Sequence, residues 1–213
     1  MVYFTRLLLL LTALAGTPPG LFAQSNDSRE LFGKAYKLYT SSKPAQAKEL
    51  FQQSMDATHR LADYSVYYLA RIAFDEANWD QSRKYLEQLR QRFPQSVWYH
   101  SIALLRAKVD IAEKKLTSAA ETLRRLRADK SVTRELADEA HFLQAQIHEA
   151  QDTQAEIGRA FALYRELRTS SPNSRWAALA RKEQARLRGK FPYQLGLNTI
   201  ASQAEEADRP ALH

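Results

Sequence analysis

Three groups of residues in this 213-residue chain have the types and spacing that chemistry requires. His141 and His148 stand seven positions apart, which places both imidazoles on one face of a helix, with Asp138 as a weak third donor. A closed zinc site takes four ligands, so two histidines and one distant carboxylate read as packing or surface residues and no metal is expected. Glu205-Glu206 is a carboxylate pair of the kind used in general acid–base catalysis, but little apolar sequence surrounds it to raise a carboxyl pKa. The third group is non-catalytic: Phe32, Tyr36, Tyr39, Tyr64, Tyr67, Arg71, Phe74, Lys108, Phe142 and Gln146. Rigid aromatics give contact area at low entropic cost and arginine clamps a carboxylate, so this set suits a peptide segment or a peptidoglycan stem. A phosphate-cradling glycine loop, a His-Glu-x-x-His helix and a Gly-x-Ser-x-Gly elbow are all missing, and no catalytic residue or cofactor is expected.

The elements that must position the third group are helices. Residues 62–98 carry one complete helix-turn-helix unit. Val66, Leu69, Ala70, Ala73 and Ala77 fall at offsets that line one face of a 3.6-residue helix, and Ser82, Leu86, Leu89 and Phe93 line another. Asn78 and Gln81 are spaced like a capping box between them. Pro94 ends the second helix, and Ser96 is placed to cap the next.

The same unit recurs with less fidelity. Hairpin one runs from Ser28 to Ala57, with Pro44 in the first turn of its second helix, where its missing N–H does no harm. Hairpin three runs from Trp98 to about Leu126 and turns near Lys114 to Thr117, and hairpin four runs from Thr133 to Leu167. Ala47, Ser82, Ala119 and Ala160 read as equivalent crossing residues, which gives spacings of 35, 37 and 41 and assigns roughly three extra residues to the turn 150–155. Pro94-Gln95-Ser96-Val97-Trp98 recurs as Pro172-Asn173-Ser174-Arg175-Trp176, 78 residues later, where both tryptophans are placed to staple one hairpin to the next. A ninth helix from Ser174 to Arg188, stopped by Gly189 and Pro192, caps the array. The expected fold is all-α: a solenoid of about four antiparallel hairpins plus a C-terminal capping helix. In such a stack the first helices line the concave side, where the ten-residue aromatic set falls.

Arg6 followed by Leu7 to Leu11 and a short apolar run has the form of a secretory leader, too short to span a bilayer, with processing expected after Ala23. The expected organisation is therefore a signal peptide at 1–23, a repeat domain at 24–190 and a weakly ordered tail at 191–213 with a short helix at Ile200 to Ala207. The chain has no cysteine, so it forms no disulfide, offers no thiolate site and lacks a lipid-acceptor residue. A soluble periplasmic protein without a transmembrane segment in its mature form is the expectation. Net charge is +7, and loss of Arg6 leaves +6, concentrated at Arg124, Arg125, Arg127 and Lys130 and along Arg175 to Lys190. These cations read as solvated outer faces, and no recognition-helix or basic-aromatic pattern points to nucleic acid.

Ala70, Ala77, Asn78, Trp79, Leu86 and Pro94, with the small residues at helix crossings elsewhere, make residues 28–190 resemble tetratricopeptide-like repeats. Hairpin one lacks the closing proline, and Asp110 stands where an aromatic is usual. More narrowly, Leu61-Ala62-Asp63-Tyr64, Tyr67-Tyr68-Leu69-Ala70, the two Pro-x-Ser-x-Trp junctions and Ala162 to Leu167 look like the helical N-terminal region of soluble lytic murein transglycosylases. That resemblance implies a lysozyme-like domain with a catalytic Glu-Ser motif, which does not follow the repeats in this sequence. The function expected is a non-catalytic periplasmic adaptor for an envelope protein, a peptide or peptidoglycan; the alternative is the helical part of a transglycosylase without its catalytic domain.

Overall fold

The computed structural model describes residues 20–55 and 61–192, which form nine helices: α1 (Gly20–Thr40), α2 (Pro44–Met55), α3 (Ala62–Asp75), α4 (Trp79–Arg92), α5 (Tyr99–Ala112), α6 (Leu116–Ala128), α7 (Arg134–Glu149), α8 (Gln154–Ser170) and α9 (Arg175–Lys190). None of these is long and apolar enough to cross a membrane. Helix α1 begins at Gly20, so it runs through the expected processing point after Ala23. Residues 1–19 of the expected leader and residues 193–213, with the expected Ile200–Ala207 helix, lie outside the described residues. The chain divides into two compact units, residues 1–66 and 67–213, the division falling inside α3.

Each first helix is reversed into its second by the same backbone device. Ser42, Ala77, Lys114 and Asp152 have φ of 59°, 56°, 61° and 50°. The left-handed region turns the chain sharply enough for the helix to close its own last carbonyls. At the second of these turns the Asn78 amide donates to Ala73 O at 2.8 Å and the Ala77 amide to Phe74 O at 3.0 Å. Lys43 to Leu38 and Ser42 to Tyr39 repeat the pair at the first turn, and Lys115 to Asp110 and Lys114 to Ile111 at the third. Asn78 then accepts from the Gln81 amide at 3.2 Å and caps α4. Ala77 was expected on the core stripe; it is instead the exposed left-handed residue of the turn.

Counting from these turns gives the repeat its register. Ala35, Ala70, Ala107 and Ala145 each lie seven residues before the left-handed residue, and all four are fully buried. Four residues beyond the position preceding each second helix stand Ala47, Ser82, Ala119 and Ile157, again all buried. The fourth equivalent is therefore Ile157 and not Ala160. Both residues face the core one turn apart, and only the turn geometry tells them apart. The spacings become 35, 37 and 38, and the connection at 150–153 has four residues against three elsewhere, one extra and not three. The additional length lies in α7 and α8, of 16 and 17 residues.

In the first unit the Ser54 hydroxyl donates to Ser28 O at 3.1 Å, and the Ser65 hydroxyl donates to Ser54 Oγ at 3.0 Å. Phe51 is fully buried, its ring 5.7 Å from that of Phe32. In the second unit Ser82 Oγ donates to Ala70 O at 2.9 Å, which ties α4 to α3 at their closest approach. Successive hairpins there share cores: Leu104, Ala107, Ala119, Leu123 and Leu126 with Ala140 and Ile147, then Phe142, Ala145, Ile157, Ala160, Tyr164 and Leu167 with Ala180 and Leu187.

The two Pro-x-Ser-x-Trp junctions fold alike locally. Ser96 Oγ and Ser174 Oγ each accept from the amide two residues on, at 3.2 Å. Ser174 is the N-cap of α9, whereas Ser96 precedes the cap of α5, which is Trp98. Helix α9 also passes through Gly189, where it was expected to stop, and ends at Lys190.

The turn and the crossing make opposite demands on one side chain. Ala77→Gly relieves a left-handed Cβ and is expected to raise stability by about 1 kcal/mol. Ala70→Leu overpacks the crossing with α4 and is expected to cost about 1 to 3 kcal/mol. Urea midpoints of the two variants, moving in opposite directions from the parent, check both assignments.

Candidate functional site

The ten residues expected to line one aromatic groove have different fates. In the first unit, Phe32, Tyr36 and Tyr64 form a run of rings, with Phe32 stacked on Tyr36 at 6.2 Å and edge-on to Tyr64 at 5.9 Å. Tyr36 is 44% exposed, and Phe32, Tyr39 and Tyr64 are half-buried. Three of these four come from α1 at offsets of four and seven, which share a face of the helix, and Tyr64 comes from the first turn of α3.

The second unit departs from the expectation. Tyr67 is only 8% exposed and lies flat on Trp98 at 4.1 Å; Phe142 is 6% exposed and packs on Trp176 at 5.4 Å. Both belong to the joints between hairpins and are not available to a partner. Each stands ten residues before its left-handed turn residue, so each meets the tryptophan that opens a later hairpin. Phe74 is half-buried against Trp79 at 5.1 Å. Lys108 is ion-paired with Glu139. Arg71 and Gln146 remain exposed.

Sequence reasoning missed Glu139 because a lone glutamate on a helix reads as solvated surface. Its side chain is buried, and it lies between Lys108 of α5 and Arg175 of α9, the latter at 3.8 Å, so one carboxylate links three successive first helices. Asp110 carried a legible signal, being an acid in an apolar register. It is 1% exposed and accepts from Arg83 of α4 at 2.9 Å and from Ser118 of α6 at 2.8 Å, while Arg83 also holds Glu113. A buried carboxylate is tolerated only with such partners.

Among the described residues, the carboxyl groups that are displaced are displaced downward: Glu87 to about 2 by hydrogen bonds from Arg90 and Gln91, Glu113 by Lys115 and Arg83, Glu121 by Arg124 and Arg125, and Glu156 by His148. A general acid near neutrality requires the opposite shift. His141 and His148 do not converge. His148 Nδ1 meets Glu156 at 2.5 Å, whereas His141 Nε2 is buried, without a hydrogen-bond partner and 3.7 Å from Glu166. Among the described residues no cluster of three or more potential ligands could hold a metal ion.

Burial, helped by Arg127, pushes His141 down to about 4. The unfolded chain binds this proton near 6.5 and the fold only near 4, so stability is full above pH 6.5 and falls as pH drops through that window, by about 2 to 3 kcal/mol. His141→Gln is expected to shrink the change in urea midpoint between pH 7.5 and pH 4.5; an unchanged difference would place the proton elsewhere.

These hairpins define a helical-repeat protein, and comparison with known proteins gives the repeat its type. The family model described as tetratricopeptide repeat matches residues 64–96. A tetratricopeptide repeat protein from Parabacteroides merdae ATCC 43184 is 14% identical over 84% of this chain and 68% of its own, with a TM-score of 0.58. The TPR-like repeats of a putative kinesin light chain from Podosopora anserina are 16% identical over 87% of this chain and 99% of theirs, with a TM-score of 0.61. No curated protein matches the chain. The fold is thus tetratricopeptide-like.

Proposed function

We propose that the protein is a non-catalytic interaction scaffold of the bacterial envelope, which grips a peptide segment of an envelope protein or the peptide stem of peptidoglycan. The observation that carries this is the run of rings on α1 and the start of α3, Phe32, Tyr36 and Tyr64 with Tyr39 on the same face of α1, of which Tyr36 is exposed and the others half-buried. Tyrosine is favoured at such surfaces because it offers a large amphipathic face with few torsions to immobilise. Tetratricopeptide-like folds serve as protein-interaction scaffolds, with extended surfaces built by stacking repeats.

Periplasmic placement rests on Arg6, the leucine run and Ala23. Mass spectrometry of the protein recovered from its own cell is expected to find an N-terminus at or near Gln24; an intact Met1–Ala23 segment on a cytoplasmic protein overturns the placement.

For the binding surface, Tyr36→Ala combined with Tyr64→Ala is expected to lower capture of the envelope partner at least tenfold in crosslinked pull-downs, with helical circular dichroism unchanged. Arg124→Ala with Arg125→Ala should leave capture intact. The reverse result would assign binding to the charged face of α6, and clearing of cell-wall sacculi by the purified chain would refute the non-catalytic reading.

A further inference from the structure

The face shared by α8 and α9 gathers arginines from two helices. Several arginines of the second unit are matched: Arg83 by Asp110, Arg124 and Arg125 by Glu121, Arg127 by Glu166, and Arg186 by Glu149 and Glu183. Arg165, Arg168, Arg181 and Arg188 have no ion pair among the described residues; neither do Lys84, Arg92, Arg106, Lys114, Lys130, Lys182 and Lys190, but these four arginines lie together on α8 and α9. The carboxylates nearest in sequence, Glu166 and Glu183, are engaged by Arg127 and Arg186.

The four arginines share one strip. On α8, Phe161, Arg165 and Arg168 are spaced by four and three; on α9, Arg181, Gln184 and Arg188 are spaced by three and four, so each trio lies on one helix face. Contacts bring the two faces together: Gln184 Nε2 donates to Phe161 O at 3.0 Å, Gln184 Oε1 accepts from Arg168, and the Arg188 guanidinium lies 5.9 Å from the Phe161 ring centre. Arg165 and Arg181 are exposed at its margin. Seven residues of α9 separate Arg181 from Arg188, about 10 Å along the axis.

A second observation falls on the same strip. Gly158 sits in α8 three residues before Phe161, where alanine would favour the helix by about 1 kcal/mol. A Cβ built there meets nothing within 4 Å, so no neighbour in this chain requires glycine. The position leaves backbone open beside a half-buried aromatic ring and a row of guanidinium groups that lack carboxylates.

We infer that this strip docks an acidic peptide segment of a partner protein, which lays one apolar side chain against Phe161 over the open backbone at Gly158 and sets carboxylates on Arg165, Arg181 and Arg188. A bidentate guanidinium–carboxylate pair explains arginine at these three positions, and the half-buried ring of Phe161 among them distinguishes a peptide from a uniform polyanion. The surface belongs to the unit 67–213 and is independent of the aromatic face on α1.

The test uses the full chain and a fluorescent twelve-residue peptide with a glutamate at every third or fourth position and one central leucine, read by anisotropy. Binding is expected, with a tenfold or greater loss for Arg165→Gln combined with Arg181→Gln and a several-fold loss for Phe161→Ala and for Gly158→Leu. Arg188→Gln is a second charge variant should the double one fold poorly, as judged by circular dichroism. Tyr36→Ala with Tyr64→Ala should leave this binding unchanged. The inference is overturned if a leucine-free peptide binds equally and Phe161→Ala is silent, which would mean charge alone, or if phosphatidylglycerol vesicles or polyphosphate bind while the peptide does not. Equal binding by Arg124→Ala with Arg125→Ala is expected, and a loss there matching that of the α8–α9 variants also overturns it.

Discussion

The close approach of two antiparallel helices at a buried alanine is the constraint on which the rest depends. Ala35, Ala70, Ala107 and Ala145 carry no side chain beyond Cβ, and each sits the same distance from a left-handed turn. A larger residue there would hold the helices apart, and the hydroxyl of Ser82 could no longer reach the Ala70 carbonyl. A different turn would bring the second helix back in another register. Crossing and turn therefore specify each other, and the larger side chains, Leu69, Leu89, Leu123 and Tyr164 among them, fill the volume that this geometry leaves.

The turn explains how the repeats tolerate variation in length. Its requirement falls on backbone conformation and not on a particular side chain, so serine, alanine, lysine and aspartate all occupy the left-handed position where glycine would be least strained. This accepts some conformational cost at every turn. The repaid carbonyls at the ends of α1, α3 and α5 offset part of that cost, because each would otherwise be an unmatched acceptor.

The helices, their pairing and most buried stripes were legible in the sequence because they follow from the spacing of apolar and small residues, which is a local property. The register of the fourth hairpin was not, since Ala160 and Ile157 both satisfy the stripe and only the Asp152 turn separates them. The exposure of the aromatic set was half legible. Aromatic residues at the right offsets identify a helix face, but whether that face meets solvent depends on what the next hairpin lays over it. Trp98 and Trp176 cover Tyr67 and Phe142, and a stapling tryptophan gives no sign in the sequence of which ring it will choose. The arginines of α8 and α9 were visible as a basic cluster; their lack of carboxylate partners became apparent only when Glu166, Glu149 and Glu183 were seen to be taken by others.

Glu139 has a mechanical meaning beyond its charge. One carboxylate shared between Lys108 and Arg175 links α5 and α9 to the helix that lies between them, so a rotation of any one of the three stretches a bond to the others. Apolar packing resists separation but lets helices slide and roll, whereas a shared ion resists both directions of roll. The two ion pairs therefore add an electrostatic resistance to the rolling of α5, α7 and α9 that apolar packing alone lacks. Dissolved salt weakens the link to the exposed Arg175 more than the one to the half-buried Lys108.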